Sequence, residues 1–254
     1  MRLNHKLGQV FLKEARSIRR IVNAIDIKDK VVLEIGPGSG RITRHLLKQA
    51  KMVHCVEVDR RLVDFLDKEF TTYANFKLNH CDILKFPLKK VGKRLVIFGN
   101  IPYQISKKII NYLIDHRKFI SVAYLTCQKE FNQKLVALPS SGQYGALSCY
   151  CRYYCDAKVL FNIGARAFSP KPKVDSSLIK MSFDRKPLLD VREEVAFFEF
   201  VRKAFSTRRK KLINSLKLKR GRELLEELNI NPGVRAQNLS LEDFVKLFKN
   251  DSKF

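Results

Sequence analysis

A short apolar run that breaks abruptly into glycines does most to limit what this chain can become. Lys30-Val31-Val32-Leu33-Glu34-Ile35 leads directly into Gly36-Pro37-Gly38-Ser39-Gly40. Unbroken apolar runs of this length suit a strand buried on both faces of a parallel sheet. Glycines at its end let the backbone approach a ligand without a Cβ in the way. The same alternation recurs downstream. Strands are predicted at 52–58, 76–78, 94–99, 120–126, near 147–161 and at 176–183, and helices at 17–25, 40–49, 61–70, 106–115 and 128–138. Strands alternating with helices predict an α/β, Rossmann-like doubly wound sheet whose first βα turn carries the ligand site. From Pro187 onward the period turns helical, with helices expected at 192–205, 208–216, 221–228 and 241–248 and Ser240 as an N-cap. The expected domains are therefore 1–186, binding a cofactor, and 187–254, small and all-helical.

Charge narrows the partner. Fifty Lys and Arg against 25 Asp and Glu give a net charge of +25. Each phosphate neutralised by such a surface releases counterions, so a polyanion rewards the excess and a small metabolite does not. The basic residues cluster. Arg2, Lys6, Lys13, Arg16, Arg19 and Arg20 accompany one acid in the first 25 residues, and 200–222 holds ten basic residues and no acid. Arg202, Lys203, Arg208, Arg209, Lys210 and Lys211 are the expected RNA contacts. No apolar stretch reaches the roughly 20 residues that span a bilayer, so a cytoplasmic protein without membrane association is expected, as a monomer. The six cysteines include no C-x-x-C pair. Cys149, Cys151 and Cys155 share one parity and would face one side of a strand as buried thiols. No metal site is expected. A functional motif beginning at Lys6 leaves no room for a removable leader.

Two sites follow from the strand ends. Glu57 lies 21 residues after Gly36 at the end of the second strand, where a carboxylate suits the hydroxyls of a ribose. This geometry alone does not separate a nicotinamide cofactor from S-adenosylmethionine, although G-x-G-x-G with an acid two residues before it favours the latter. Asp82, beyond the third strand, could accept from an adenine amino group. Asn100-Ile101-Pro102-Tyr103 follows the fourth strand directly. The exocyclic nitrogen of adenine is a poor nucleophile. Acceptors at its protons, from the Asn100 side chain and the Ile101 carbonyl, would aim its lone pair at a methyl sulfonium. Pro102 would fix that backbone, and Tyr103 would stack on the base, with Phe168 on the other face. A base in a duplex must be flipped out to reach such a pocket.

Taken in order, several segments resemble the KsgA-type ribosomal RNA adenine dimethyltransferases, whose relatives include the Erm resistance methyltransferases. They are Lys6-Leu7-Gly8-Gln9-Val10-Phe11-Leu12, Leu33–Gly40, Val56-Glu57-Val58-Asp59, Asp82-Ile83-Leu84, Asn100–Tyr103, Gln128-Lys129-Glu130, Phe168–Ser177 and Ala204–Leu212. The resemblance implies a class I methyltransferase that binds S-adenosylmethionine through Gln9, Leu12, Gly36, Gly38, Glu57, Asp82 and Asn100. It implies dimethylation of two adjacent adenosines in a terminal stem-loop of small-subunit ribosomal RNA, within small-subunit biogenesis. Where the family has Asn after Gly-Gln, this chain has Val10, so only a backbone contact can remain there. An Erm-like activity on large-subunit RNA, and a non-catalytic ribosome-assembly factor, are the alternatives. A nicotinamide-dependent dehydrogenase lacks a proton-relay candidate near the glycine loop.

Overall fold

The computed structural model describes residues 9–218 and 220–251. Arg2, Lys6 and the Lys6-Leu7-Gly8 part of the N-terminal motif therefore lie outside the described residues, as does Lys219. The chain divides into two compact units. One comprises the chain up to Asn132 together with Lys158–Asp184, and the other Gln133–Ala157 together with the chain from Arg185 onward. The expected boundary at 186/187 lies two residues from this junction, but segment 133–157, assigned to the first domain from sequence, groups with the C-terminal helices.

The first unit is an α/β sheet. Its elements are β1 (Phe11–Leu12), α1 (Ala15–Ala24), β2 (Val31–Ile35), α2 (Thr43–Leu46), β3 (Met52–Glu57), α3 (Arg60–Phe70), β4 (Phe76–His80), β5 (Leu95–Asn100), α4 (Ser106–Asp115) and β6 (Ile120–Gln128). After α5 (Lys129–Val136) and α6 (Ala146–Tyr154) come β7 (Asp156–Ile163), β8 (Phe168–Ser169) and β9 (Ser176–Ser182). Seven strands form one sheet in the order β4-β3-β2-β5-β6-β9-β7. Strands β2 to β6 pair in parallel and β9 runs antiparallel to β6. The order reverses between β2 and β5, so both open at the carboxyl edge of the sheet, where α/β sheets hold ligands. A separate two-stranded ribbon joins β1 to β8, with Leu12 opposite Phe168.

The strands are where the apolar runs place them. Val32, Leu33, Val53, Val96, Ile97 and Leu125 are all fully buried. Helix α1 turns Ile18, Ile21 and Val22 inward, and α3 starts at Asp59, whose carboxylate caps the Arg61 N–H. The short α2 is the weakest match to expectation. Only Thr43–Leu46 is regular helix, because the turn from Gly36 to Gly40 uses residues up to Ile42.

The second unit is helical, with α7 (Val191–Phe205), α8 (Leu212–Leu216), α9 (Gly221–Glu227) and α10 (Leu241–Asn250) beside α6. Its core is aromatic. Tyr153, Phe197, Phe200 and Phe244 are fully buried, and the carboxylate of Glu194 accepts from the hydroxyls of Tyr153 and Tyr154 at 3.3 and 2.7 Å. Two expectations fail in this unit. Residues 147–154, predicted as strand, form α6. The Ser148 hydroxyl accepts from the Gly145 N–H at its start, and the buried neighbours Ser148–Cys149 and Tyr153–Tyr154, which a strand would turn to opposite faces, both pack inward on the helix. Cys151 and Cys155 are a helical turn apart with sulfurs at 3.5 Å, and all six cysteines are free thiols. The helix expected over 208–216 is regular only from Leu212. Residues 206–209 form a turn after α7, and Arg208 donates to the Gly142 and Tyr144 carbonyls. Ser240 caps α10 as expected, with Asp243 reciprocating.

Phe70 ends α3 fully buried, against Tyr73 and Phe76 and beneath Gly40. Removing its ring opens a cavity below the glycine loop. Phe70→Ala is therefore expected to lower stability in urea denaturation by about 3–5 kcal/mol.

Candidate active site

The glycine turn is built by sterics. Gly38 has φ of +60°, and a Cβ there would lie 2.7 Å from the Phe11 ring; Gly40 has φ of +71°, and a Cβ there would lie 2.5 Å from Phe70. Neither position accepts a side chain, so the backbone of the turn is left uncovered at the carboxyl edge, with the Gly36 and Gly40 N–H groups donating to the Val56 and Pro37 carbonyls. The turn borders a cleft of about 210 Å³. Gln9, Leu12, Gly36, Gly38, Glu57, Asp82 and Asn100, the seven residues expected to hold the cofactor, all line it. Val58, Leu62 and Ile83 add apolar wall.

Each polar group in the cleft is held. Glu57, 4% exposed, ends β3. One of its oxygens accepts from the Gly38 N–H at 3.3 Å, the other from Val58 and Asp59 at 2.9 and 3.0 Å. Burial raises its pKa, opposed by these backbone donors. Asp82 plays two parts, since one oxygen caps the turn Ile83–Lys85 through the Leu84 N–H at 3.0 Å while the residue faces the cleft. Gln9 is fixed by donating to Asp59 at 3.0 Å. Asp59 is held at a pKa of about 2, chiefly by its hydrogen bonds from Arg61.

A second recess, of about 20 Å³, is lined by Val10, Asn100, Ile101, Pro102, Tyr103 and Phe168. All five residues expected around the target base are there. Asn100, Pro102 and Val10 border both spaces. Asn100 ends β5, and its side-chain Nδ2 donates to the Val10 carbonyl at 2.8 Å. A carbonyl only accepts, so this bond fixes the amide orientation and turns Oδ1 away as an acceptor. The Ile101 N–H donates to the Thr126 carbonyl. The Pro102 carbonyl is taken by the Ile105 N–H and the Ser106 hydroxyl. The hydroxyls of Tyr103 and the fully buried Ser176 are 2.8 Å apart, and burial of Tyr103 raises its pKa. Phe168, 1% exposed, is held by the ribbon to β1.

Arg202, Lys203, Arg208, Arg209, Lys210 and Lys211 are exposed on the helical unit. Among the described residues no cluster of metal-binding side chains occurs, and no helix is long and apolar enough to cross a membrane.

Four participants are not evident from sequence. Val10 contributes a carbonyl, which no side-chain pattern signals. Phe11 seals the glycine turn. Ser176 stands in the Phe168–Ser177 segment but shows its partner only in three dimensions. Glu34, 2% exposed, lines the cleft below the turn and accepts from Thr43 at 2.6 Å and from the Cys55 thiol at 3.5 Å. Burial lifts its pKa from 4.5 to about 7, those two hydrogen bonds oppose the shift, and the charge of Glu57 adds to it.

The folded protein thus keeps a proton on Glu34 between pH 4.5 and about 7 that the unfolded chain has released. That contribution to stability is complete below the lower value and is lost as pH rises through the upper one. Glu34→Gln, which can still accept from Thr43, is expected to stabilise the cofactor-free protein at pH 8 by up to about 3 kcal/mol. The difference should shrink toward zero at pH 5. Urea denaturation of both proteins at the two pH values measures it, and an equal effect at both would refute the assignment.

Comparison with known proteins agrees with this geometry. Over residues 1–253 the sequence matches the ribosomal RNA adenine dimethylase family. Ribosomal RNA small subunit methyltransferase A of Pseudomonas aeruginosa is 36% identical over 250 residues, covering 97% of this chain and 93% of that protein. The protein of the same name from Hahella chejuensis is 37% identical over 246 residues, covering 95% and 90%. A dimethyladenosine transferase from Plasmodium falciparum superposes with a TM-score of 0.81 at 29% identity, over 93% of this chain and 95% of that one. The 23S rRNA methyltransferase ErmE does so with a TM-score of 0.76 at 25% identity, over 95% and 99%. With a methyltransferase sheet, a glycine cleft and an Asn-Ile-Pro-Tyr recess sharing one asparagine, the chain belongs to the ribosomal RNA adenine dimethylase family.

Proposed function

We propose that this protein moves methyl groups from S-adenosylmethionine to the exocyclic amino groups of two adjacent adenosines. The adenosines lie in the 3′-terminal stem-loop of small-subunit ribosomal RNA, and the protein acts as a monomer on the immature small subunit. One observation carries the reading: Asn100 borders both the cleft and the recess, with its amide nitrogen committed to Val10 and its oxygen left to accept. The share of sequence held in common with the two small subunit methyltransferases supports the choice of small-subunit RNA.

The cleft suits the cofactor by its donor chemistry. Glu57 offers a carboxylate for ribose hydroxyls, Asp82 an acceptor for an adenine amino group, and the open turn at Gly36 and Gly38 leaves room for backbone contact, with Gln9 and Leu12 at the rim. When bound, S-adenosylmethionine supplies an electrophilic methyl group on a sulfonium. The protein's own task is positioning. Asn100 Oδ1 and the Ile101 carbonyl accept the two amino protons, which draws the nitrogen toward a pyramidal shape. Pro102 holds that backbone, and Tyr103 and Phe168 clasp the base. Positioning of this kind removes the need for a strong general base. Each transfer would form one nitrogen–carbon bond as the cofactor's sulfur–carbon bond breaks, would release S-adenosylhomocysteine as a neutral thioether, and would pass one amino proton to solvent. After the first transfer one proton remains, so Asn100 and Ile101 cannot both keep their proton partners during the second. The exposed cations from Arg202 to Lys211 hold RNA phosphates on the helical unit.

Asn100→Ala is expected to reduce methylation of undermodified small subunits by about 10²-fold or more, with binding of S-adenosylhomocysteine much less affected. Mass spectrometry of ribosomal RNA from cells with and without the gene should show dimethyladenosine near the small-subunit 3′ end only when the gene is present. Methylation of naked large-subunit RNA, with none of small subunits, would instead favour an Erm-like activity. Ser176→Ala should release the Tyr103 hydroxyl and lower kcat about three- to ten-fold, with cofactor affinity unchanged.

A further inference from the structure

Positive charge on this protein is not confined to the chain after residue 200. On the catalytic unit Lys13, Arg16, Arg19 and Arg20 are exposed along α1 and its approach, and Arg41, Arg44 and Lys48 are exposed around α2. Two interactions lay these sets side by side. At one end Arg41 donates to the Lys13 carbonyl at 3.0 Å. At the other, the charges of Lys48, Arg44 and Arg19 all bear on the partly buried His45. The apolar side of α1 is buried, so its arginines face outward.

Little acid answers them. Glu69 pairs with Arg44, and Glu14 accepts from the Ser17 hydroxyl. Arg16, Arg19 and Lys48 form no ion pair among the described residues. Arg20 lies over the Phe161 ring with its guanidinium carbon 3.9 Å from the centroid. Arg20 remains exposed, and an Arg guanidinium over an aromatic face can still donate to phosphate. None of the large exposed apolar side chains among the described residues belongs to α1 or α2. The face therefore has nothing to insert into a bilayer. One end of it is also placed for the reaction, since Arg41 lines the cleft that Asn100 shares with the recess.

We propose that the paired rows of α1 and α2 form a second phosphate-docking surface, which holds the RNA strand next to the target adenosine on the catalytic unit itself. This rests on the RNA-methylating reading above. It assigns the basic N-terminal helix a share of substrate binding that the residues from Arg202 to Lys211 do not supply.

The test is the triple variant Arg16→Ala, Arg19→Ala and Lys48→Ala, which leaves the cleft, the recess and the Arg44–Glu69 pair intact. Undermodified small subunits and a stem-loop RNA are the ligands. KM should rise about ten-fold or more, with kcat and S-adenosylhomocysteine binding within two-fold of the parent. The slope of log affinity against log salt should become shallower by about 2–3, at about 0.7–0.9 for each phosphate that the three lost cations no longer neutralise. The doubly conservative Arg16→Lys, Arg19→Lys variant should keep the parent's KM. An unchanged KM and salt slope in the triple variant would overturn the proposal, as would an effect confined to binding of anionic lipid vesicles. A parent protein that fails to methylate small subunits would overturn the functional reading and, with it, this surface. A parent that methylates them while the triple variant matches it would remove the surface alone.

Discussion

The hydrogen bond from the Asn100 amide to the Val10 carbonyl is the interaction on which the site depends. It joins the end of β5 to a segment 90 residues earlier in the chain. That segment also reaches the cleft through Gln9 and Asp59, the glycine turn through Phe11, and Phe168 through the β1–β8 ribbon. Four residues in sequence thus touch the side of the cleft, the Asn100 amide and the Phe168 ring of the recess. Such a segment cannot shift for one purpose without disturbing the others. Because the anchoring atom is a backbone carbonyl, the bond survives a change of side chain at position 10, which explains how Val10 can stand where the resemblance anticipates Asn.

A second constraint is electrostatic. A protein of net charge +25 nevertheless keeps two carboxylates, Glu34 and Glu57, almost wholly buried beneath one glycine turn. Burial disfavours charge in both, and the charge of Glu57 adds to the cost of ionising Glu34. Backbone N–H groups stabilise Glu57, whereas Glu34 has only a hydroxyl and a thiol. This difference in donors sets the two apart, with Glu57 better supported as a carboxylate and Glu34 pushed up to about 7.

What was legible in the sequence followed from strong local rules. The run to Ile35, the glycines after it, Glu57 at a strand end and the Asn-Ile-Pro-Tyr turn each carry their own geometry, and the structure brings their side chains to one cleft and one adjoining recess. The failures have equally specific causes. Alternating Cys and Tyr from 149 to 154 mimic strand periodicity, but a cap at Gly145 and Ser148 with packing against aromatic helices selects α6. The β1–β8 ribbon is too short to leave any period. The pairing of Tyr103 with Ser176 spans 73 residues and has no local trace. The residues from Arg208 to Lys211 read as a helix by spacing, yet they form a turn between α7 and α8.

Why position 100 should be an amide follows from the same bond. The side chain donates on one side, to the Val10 carbonyl, and on the proposed reading accepts on the other, from an amino group. A carboxylate would accept on both sides, set two oxygens against each other at Val10, and carry a charge into a half-buried corner between two spaces, one of them already bordered by buried acids. A hydroxyl is too short to span both partners. The neutral amide meets both demands without adding charge. Its polarity also suits a nucleophile that is itself neutral and must lose a proton only as the new bond forms. The geometry thus favours alignment over base strength, which is consistent with a site whose remaining walls are the apolar faces of Val10, Ile101, Pro102 and Phe168.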